Sequence, residues 1–431
     1  MSDSEGSNSS GSSASSGSSP TGPDVEGECP IGEQWLAEAL AQYHSVREVR
    51  LRQTDVRPGC GAGQAALSDI LAVSVRYSLG PEGSGNDDGI IRSLRLVVKL
   101  PPRDPFSRYF VAEAQFDLRE IKFYTEVVPD LNGVQCAVKE EPVVLPVPKC
   151  YHAHYGRGED NESNEKPESA LILDDIRPMG YRTASFSDGL TLKQAEAAMD
   201  AVARVHALSL VYSARSTTPL ASRYPFLFQS ERASDSYQQL LERGLPQLAR
   251  FLQERPGLAS VQASLEALRP KTRRLIEALL RPAPPMAVIT HTDFWCNNLM
   301  FRERDGEHDC CILDWQMVTL SRPTNDLALL LVSSVSGEIR RKHEFSLLDH
   351  YFSRVSSACR LLGEDIAELG WTKPMLRKEY RRSSLLALLL CLGSVDVALG
   401  DEKAEKRLEE ALQDAKDQGL LSDEFIEEQL A

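Results

Sequence analysis

The chain has no apolar run long enough to cross a bilayer. Its longest, Leu385 to Leu392, is eight residues, against the roughly 20 that a membrane-spanning helix needs. It has no CxxC pair, and its nine cysteines are an odd number. Free thiols in a reducing cytoplasm are therefore expected rather than a disulfide framework. No basic-then-apolar leader pattern opens it; the start is Ser, Gly and acidic. Positive charge is short as well, with 48 Lys plus Arg against 63 Asp plus Glu and a net charge of −15. That balance argues against a duplex-DNA binder, which would need a basic face, and neither a nucleic-acid nor a membrane partner is expected. A nucleotide site stays open, because a few local cations and Mg²⁺ can offset phosphate charge.

What the chain does have is length and an ordinary apolar share. With 431 residues and 42% apolar content it can build two lobes with hydrophobic cores. Residues 1 to 28 are mostly Ser and Gly and hold no Lys or Arg. So biased a stretch cannot bury enough apolar surface to offset its ordering entropy, and it is expected to be a disordered tail. Order is expected from Pro30, with helical spacing over Ile31 to Ala41. Alternation predicts a strand over Ile70 to Leu79, a turn-rich tip over Gly80 to Gly89, and a second strand through Leu94, Leu96, Val98 and Lys99. Phe110 to Val128 reads as a helix ended by Pro129, and Val143 to Leu173 as a second hairpin. After Asp175 the pattern is helical over Thr191 to Tyr212, Ser234 to Glu254 with a break open at Pro246, and Val261 to Leu280. Helices follow over Asn325 to Ser334, Arg340 to Leu362 and Met375 to Leu399. Two short β-like pieces, Ala287 to Thr290 and Cys310 to Leu313, each run straight into a polar cluster.

The first cluster reads His291-Thr292-Asp293-Phe294-Trp295-Cys296-Asn297-Asn298, and the second Asp314-Trp315-Gln316, with a polar turn, Arg302 to Asp309, between them. A strand delivers His291 and Asp293 into a loop, and a tight hairpin returns Asp314 beside Asn298. Phosphoryl transfer needs such a set: one carboxylate to orient and deprotonate the attacking hydroxyl, and hard oxygen ligands to hold Mg²⁺ against nucleotide phosphates. Asp293 suits the first task; Asn298 and Asp314 suit the second. His291 suits a bracing role, bonded to nearby backbone. Asp and Asn after a strand are also common turn formers, so the ordered combination carries the reading and no single member does.

Such chemistry makes demands upstream: a Lys on the second hairpin strand and an acid on the helix after it. Lys99 ends its strand, and Glu120 lies on the helix, with Glu113 and Glu126 as alternatives. Lys99 would bridge the α- and β-phosphates and Glu120 would hold it. Arg57 to Gln64 carries Gly59, Gly61 and Gly63. Glycines such as Gly61 and Gly63 let backbone amides approach phosphate, yet no helix obviously follows, so phosphate loop and plain turn both stand. Leu171 to Ile176 passes from apolar strand into acid; its backbone at Asp174 and Ile176 could meet an adenine edge, or be a simple strand end.

These residues closely resemble the ecdysteroid-kinase-like family, within the choline- and aminoglycoside-kinase-like phosphotransferases. The matching pieces are Val97 to Pro102, Glu120 to Tyr124, Leu173 to Ile176, Ala203 to Ala207, His291 to Asn298, Leu313 to Gln316 and Pro323 to Leu327. Trp295 and the paired Asn297-Asn298 point to this family rather than to choline kinases generally. The resemblance implies an α+β, protein-kinase-like two-lobe fold, with a small β-rich N-lobe carrying one key helix and a larger, mainly helical C-lobe. On that division residues 30–174 form the nucleotide-binding lobe, and 175–431 hold the catalytic loop and acceptor site. It implies ATP- and Mg²⁺-dependent phosphorylation of a hydroxyl on a small molecule, steroid hormones being the named acceptors. Residue by residue it implies Asp293 as base, Asn298 and Asp314 as metal ligands, and Lys99 with Glu120 at the phosphates. Two departures stand out: Thr292 where the wider group usually has Gly, and Trp315 where Phe is usual.

Three other readings compete. The acceptor could be an amine alcohol, a sugar or a xenobiotic glycoside; acidic clusters would favour a cation and an apolar cleft a sterol. The chain could be a nucleotide-binding pseudokinase, against which the complete catalytic set argues. A metallohydrolase using His291 and Asp293 lacks a second His cluster with metal spacing.

Overall fold

The computed structural model describes residues 31–60, 67–80, 90–136, 142–156, 167–282 and 284–431. Helix α1 (Glu33–His44) leads into strands β1 (Val49–Pro58), β2 (Asp69–Leu79) and β3 (Arg92–Leu100). With β4 (Cys150–Tyr155) and β5 (Ser169–Asp174) they form one antiparallel sheet in the order β1-β2-β3-β5-β4. The period-2 pattern decides its faces. Leu71, Val73 and Val75 of β2 and Leu96 and Val98 of β3 pack with Trp35, Leu36 and Leu40 of α1. Strand β5 is buried on both sides, Ala170 and Ile172 toward α1, Leu171 and Leu173 toward the helices that follow.

Strand β1 was not legible in the sequence. It is an edge strand, and a register shift between Leu51 and Gln53 breaks its apolar alternation. The helix expected over 110–128 is in fact three: α2 (Pro105–Ala114), α3 (Phe116–Lys122) and α4 (Val128–Gly133). Gln115, at φ 55°, breaks the first junction, and a π turn, Phe123–Val127, joins the other two. Pro129 therefore does not end the helix. It lies in the first turn of α4, and the widened turn before it accommodates a ring that would otherwise clash with the carbonyl four residues back.

Beyond Asp174 the chain is mostly helical. The elements are α5 (Leu192–Arg215), α6 (Leu220–Arg223), α7 (Ser230–Gln253), α8 (Ala259–Leu268) and α9 (Thr272–Leu280). After them come α10 (Pro323–Ser334), α11 (Gly337–Leu361), α12 (Lys373–Gly393), α13 (Glu402–Asp417) and α14 (Asp423–Leu430). A Thr191–Gln194 capping box opens α5, which satisfies two donors that a helix start otherwise leaves orphaned. Helix α7 is continuous through Pro246, anchored on both sides by buried Tyr237, Leu241 and Leu248. The stretch 261–280 is instead split by a tight turn at Arg269–Lys271, where Pro270 lacks the N–H that a continuous helix needs. Two small sheets are set among the helices. One is β6 (Arg182–Thr183), β8 (Leu299–Arg304) and β9 (Glu307–Ile312); the other pairs β7 (Val288–Thr290) with β10 (Thr319–Ser321). The architecture is α+β, a β-sheet N-terminal region on a helical C-terminal one. Among the described residues no helix is long and apolar enough to cross a membrane, and all described cysteines are free thiols.

Candidate active site

Strand β7 is buried along its whole length and pairs antiparallel with β10. It ends in a turn at Thr292, whose φ of +65° is left-handed. An L side chain there costs on the order of 1–2 kcal/mol, which explains why Gly is the usual residue. What holds Thr292 is Asp326 in the first turn of α10. Its carboxylate accepts the backbone N–H of His291 at 2.8 Å and of Thr292 at 2.7 Å. His206 Nε2 lies 3.2 Å from the same carboxylate, and His206 Nδ1 lies 2.9 Å from the Tyr351 hydroxyl. This network is wholly buried.

His291 braces the loop as its type suggested. Its Nδ1 accepts the Asp293 N–H at 3.2 Å, so Nε2 carries the proton and donates to the Leu313 carbonyl at 2.8 Å. The Leu313 N–H in turn donates to the Asn298 carbonyl at 2.8 Å. These bonds tie the two polar clusters together. Asp314 also adopts a left-handed turn, φ +61°, a conformation that Asp tolerates better than most residues. Trp315 is fully buried. Its ring stacks on Phe123 of the π turn at 4.0 Å and 7° and meets His291 edge-on at 4.7 Å. The larger ring in place of Phe thus fills the joint between the Asp314 turn and the helix carrying Glu120.

The side chains converge as follows. Lys99 Nζ lies 2.6 Å from Glu120 Oε2 and 2.5 Å from Asp314 Oδ1. Glu113 is exposed and Glu126 pairs with Lys122 at 2.5 Å, so Glu120 is the acid that meets Lys99. Gln316 Nε2 donates to Asp314 Oδ2 at 3.2 Å. Asn298 Nδ2 donates to Asp293 Oδ2 at 2.8 Å and to the Asp293 carbonyl at 2.9 Å. The amide nitrogen is thereby spent on Asp293, which leaves the carboxamide oxygen as the atom free to bind a cation. Burial alone would depress the Lys99 ammonium, but Asp314 and Glu120 together hold it above its ordinary value. Burial pushes the carboxyls of Glu120 and Asp293 up, with the charge of Asp314 adding to both.

The remaining sequence candidates are Gly61, Gly63, Asp174 and Ile176. Gly61 and Gly63 lie outside the described residues. Asp174 closes β5, its N–H on the Lys149 carbonyl at 2.8 Å. Its carboxyl, raised chiefly by burial, faces Lys149 and Tyr151 on the β4 side rather than the Lys99 cluster. Ile176 is packed with Met300 and Cys311 on the β8-β9 hairpin. Arg177 bridges Asp175 and the Gly59 carbonyl, the latter at 2.9 Å, and so ties the lobe junction to the start of the glycine segment.

A cavity opens beside Asp293. Its walls are largely apolar, with Trp295, Leu329, Val332 and Leu390 among them, and among the described residues Asp293 is the one carboxylate that lines it. Sequence reasoning missed this cavity's lining, Gln316, and the role of Asp326. The last had a signal: an acid in the first turn of the otherwise apolar Leu327 to Val332. Among the described residues no group of three or more His, Cys, Asp or Glu side chains is disposed to hold a metal alone. Asn298 and Asp314 offer two oxygen donors, and a Mg²⁺ ion characteristically takes one or two protein ligands plus phosphate and water. The donor set fits a metal carried with a nucleotide.

The sequence profile of the ecdysteroid kinase-like family matches residues 62–364. The chain belongs to the ecdysteroid kinase-like family. It is thereby a phosphotransferase of the small-molecule kinase type, with an alcohol group as acceptor. Its structure is similar to a choline/ethanolamine kinase family protein from Mesorhizobium loti, at 15% identity over 87% of this chain and 91% of that one, TM-score 0.39. It is similar also to choline kinase LicA from Streptococcus pneumoniae, at 14% identity over 89% of this chain and 99% of that one, TM-score 0.40. A third similar structure is an ethanolamine kinase of Plasmodium vivax, at 13% identity over 83% of this chain and 82% of that one, TM-score 0.39. No curated protein matches the chain.

Proposed function

We propose that this kinase uses ATP and Mg²⁺ to phosphorylate a hydroxyl of an uncharged, largely apolar small molecule, an ecdysteroid or other steroid fitting best. The observation that carries the reading is the meeting of Lys99, Glu120 and Asp314, three segments far apart in sequence, next to an Asp293–Asn298 pair that opens on an apolar cleft. In this reading residues up to Asp174 form the nucleotide-binding lobe and those from Asp175 the catalytic lobe. Lys99, held by Glu120, binds the α- and β-phosphates. Asp314 and the Asn298 carboxamide oxygen hold the metal, which would supply charge neutralisation at the transferred phosphoryl group. Asp293 orients the acceptor hydroxyl and takes its proton. Raising a carboxyl by burial suits this task, since a base works best when its pKa lies nearer the working pH. The free thiols fit a cytoplasmic location.

An amine-alcohol acceptor fits less well, because among the described residues no second carboxylate lines the cleft to pair with an ammonium group. The test is transfer of label from γ-labelled ATP to a panel of hydroxysteroids, amine alcohols and glycosides. Label on a hydroxysteroid, dependent on Mg²⁺, is expected. Label only on amine alcohols would overturn the acceptor assignment, and nucleotide binding without transfer to any hydroxyl would make the chain a pseudokinase.

A further inference from the structure

The cleft beside Asp293 is not built from the family-matched segment alone. That segment ends at residue 364, yet Leu390 and Cys391 of α12 and Arg407 and Leu408 of α13 line the cleft. Among the described residues Arg407 is the one cationic residue of the lining, and its placement is unusual. It is only 5% exposed. Its Nε donates to the Ser333 carbonyl at 2.8 Å, its Nη1 to Ser187 at 3.1 Å and its Nη2 to Phe186 at 2.6 Å. Carbonyls take its hydrogens, and among the described residues no carboxylate stands within ion-pair distance of it. The guanidinium is thus held by carbonyls rather than by an ion pair, with the Asp401 charge acting on it from beyond that distance, in an apolar wall where charge is screened far less than in water.

Two of these bonds, to Ser187 and Phe186, fix a neighbouring wall. Phe186 lies on the loop between β6 and α5. Its ring is 4.7 Å from the Arg407 guanidinium and edge-on to Trp295 of the catalytic loop at 5.5 Å. The loop is held at other points as well. Lys403 of α13 pairs with Asp188 at 2.6 Å, and the Leu190 N–H donates to the Ser334 carbonyl at 2.7 Å. Gly189, at φ +72°, is pressed so close that a Cβ would come within 2.9 Å of the Ser334 carbonyl and 3.2 Å of Arg407 Nη1. A chain of contacts thus runs from α13 through Phe186 to Trp295, two residues from Asp293.

We propose that Arg407 and Phe186 determine acceptor specificity: Arg407 clasps the Phe186 loop as one wall of the cleft, and its positive charge excludes acceptors that carry an ammonium group. The proposal rests on the reading of this cleft as the acceptor site. Phe186 acts by shape and Arg407 by charge and by positioning Phe186, so their replacements have different signatures. Removing Phe186 widens the cleft and weakens an apolar acceptor without touching the nucleotide. Removing the Arg407 charge lifts the barrier to a cation. Lysine at 407 keeps the charge but cannot reproduce the three-way bonding, since a guanidinium has a planar fork of donors and an ammonium does not.

The experiment is equilibrium binding to the full chain, with Mg·ADP present, of two probes: a water-soluble hydroxysteroid and choline. Wild type is expected to prefer the hydroxysteroid by at least a hundredfold. Phe186→Ala should weaken the hydroxysteroid at least tenfold with Mg·ADP affinity within twofold. Arg407→Met should narrow the preference at least tenfold, while Arg407→Lys should still exclude choline and bind the hydroxysteroid more weakly. Unchanged affinities in Phe186→Ala, an unchanged preference in Arg407→Met, or a wild type that binds choline as well as the hydroxysteroid or binds neither, would each overturn the proposal. Should Arg407→Met fail to fold by thermal melting, Phe186→Ala and Arg407→Lys decide it by the same criteria. Binding of the hydroxysteroid without phosphoryl transfer would sink the kinase reading and leave the clasp standing.

Discussion

Asp293→Asn is expected to lower turnover by about two to four orders of magnitude, the usual contribution of a positioned general base, while Mg·ATP affinity stays within about twofold. The substitution keeps the shape of the side chain and can keep a bond to Asn298, which now donates to Asp293 Oδ2 at 2.8 Å. What it removes is the ability to accept a proton. Because none of the bonds Asp293 makes reaches Lys99 or Glu120, nucleotide contacts should survive. The wild-type pH profile provides a second reading of the same residue. Burial places the Asp293 carboxyl above its ordinary value of 3.8, and only the ionised form can act as base. Activity should therefore fall on the acid side at a pH above that of an ordinary carboxylate, and the residual activity of Asp293→Asn should lack that limb. Single-turnover rates and nucleotide titration check both parts; near-normal turnover in the variant would remove Asp293 from the chemistry.

Asp326→Ala is expected to cost about 3 kcal/mol or more of folding stability, since each buried donor left without a partner costs about 1–3 kcal/mol. The orphaned donors would be the N–H groups of His291 and Thr292, together with the Nε2 side of His206. The loss also releases the left-handed turn at Thr292 from its main restraint, so activity should fall further than stability alone explains. Asp326→Asn should be milder, because the amide retains one acceptor oxygen. Denaturant unfolding checks the stability part, read as the midpoint at constant slope. A midpoint within error of wild type would mean that the loop is held by something other than this carboxylate.

How much of this was legible in the sequence follows from the physics of each part. The His291 to Asn298 and Asp314 pieces were readable because order and spacing along the chain fix which groups a strand-loop-hairpin can bring together. Lys99 was readable because alternation places it on the sheet face opposite Val98. Glu120 could be named but not separated from Glu113 and Glu126, since helical phase is lost where the helix breaks at Gln115 and widens at the π turn. Strand β1 escaped because a bulge erased its alternation. The Asp326 network and the Arg407 clasp escaped for a different reason: each joins side chains more than 30 positions apart through backbone carbonyls or N–H groups, which leave no mark in residue type. The cleft beside Asp293 is assembled from helices whose sequences show only that they are apolar on one side.

The most direct test of one Mg·nucleotide site built by Lys99, Glu120, Asn298 and Asp314 is calorimetric titration of ATP into wild type and Asp314→Ala, with and without Mg²⁺. Wild type should bind ATP more tightly when Mg²⁺ is present, and Asp314→Ala should lose that enhancement. Equal enhancement by Mg²⁺ in the two proteins would contradict the site.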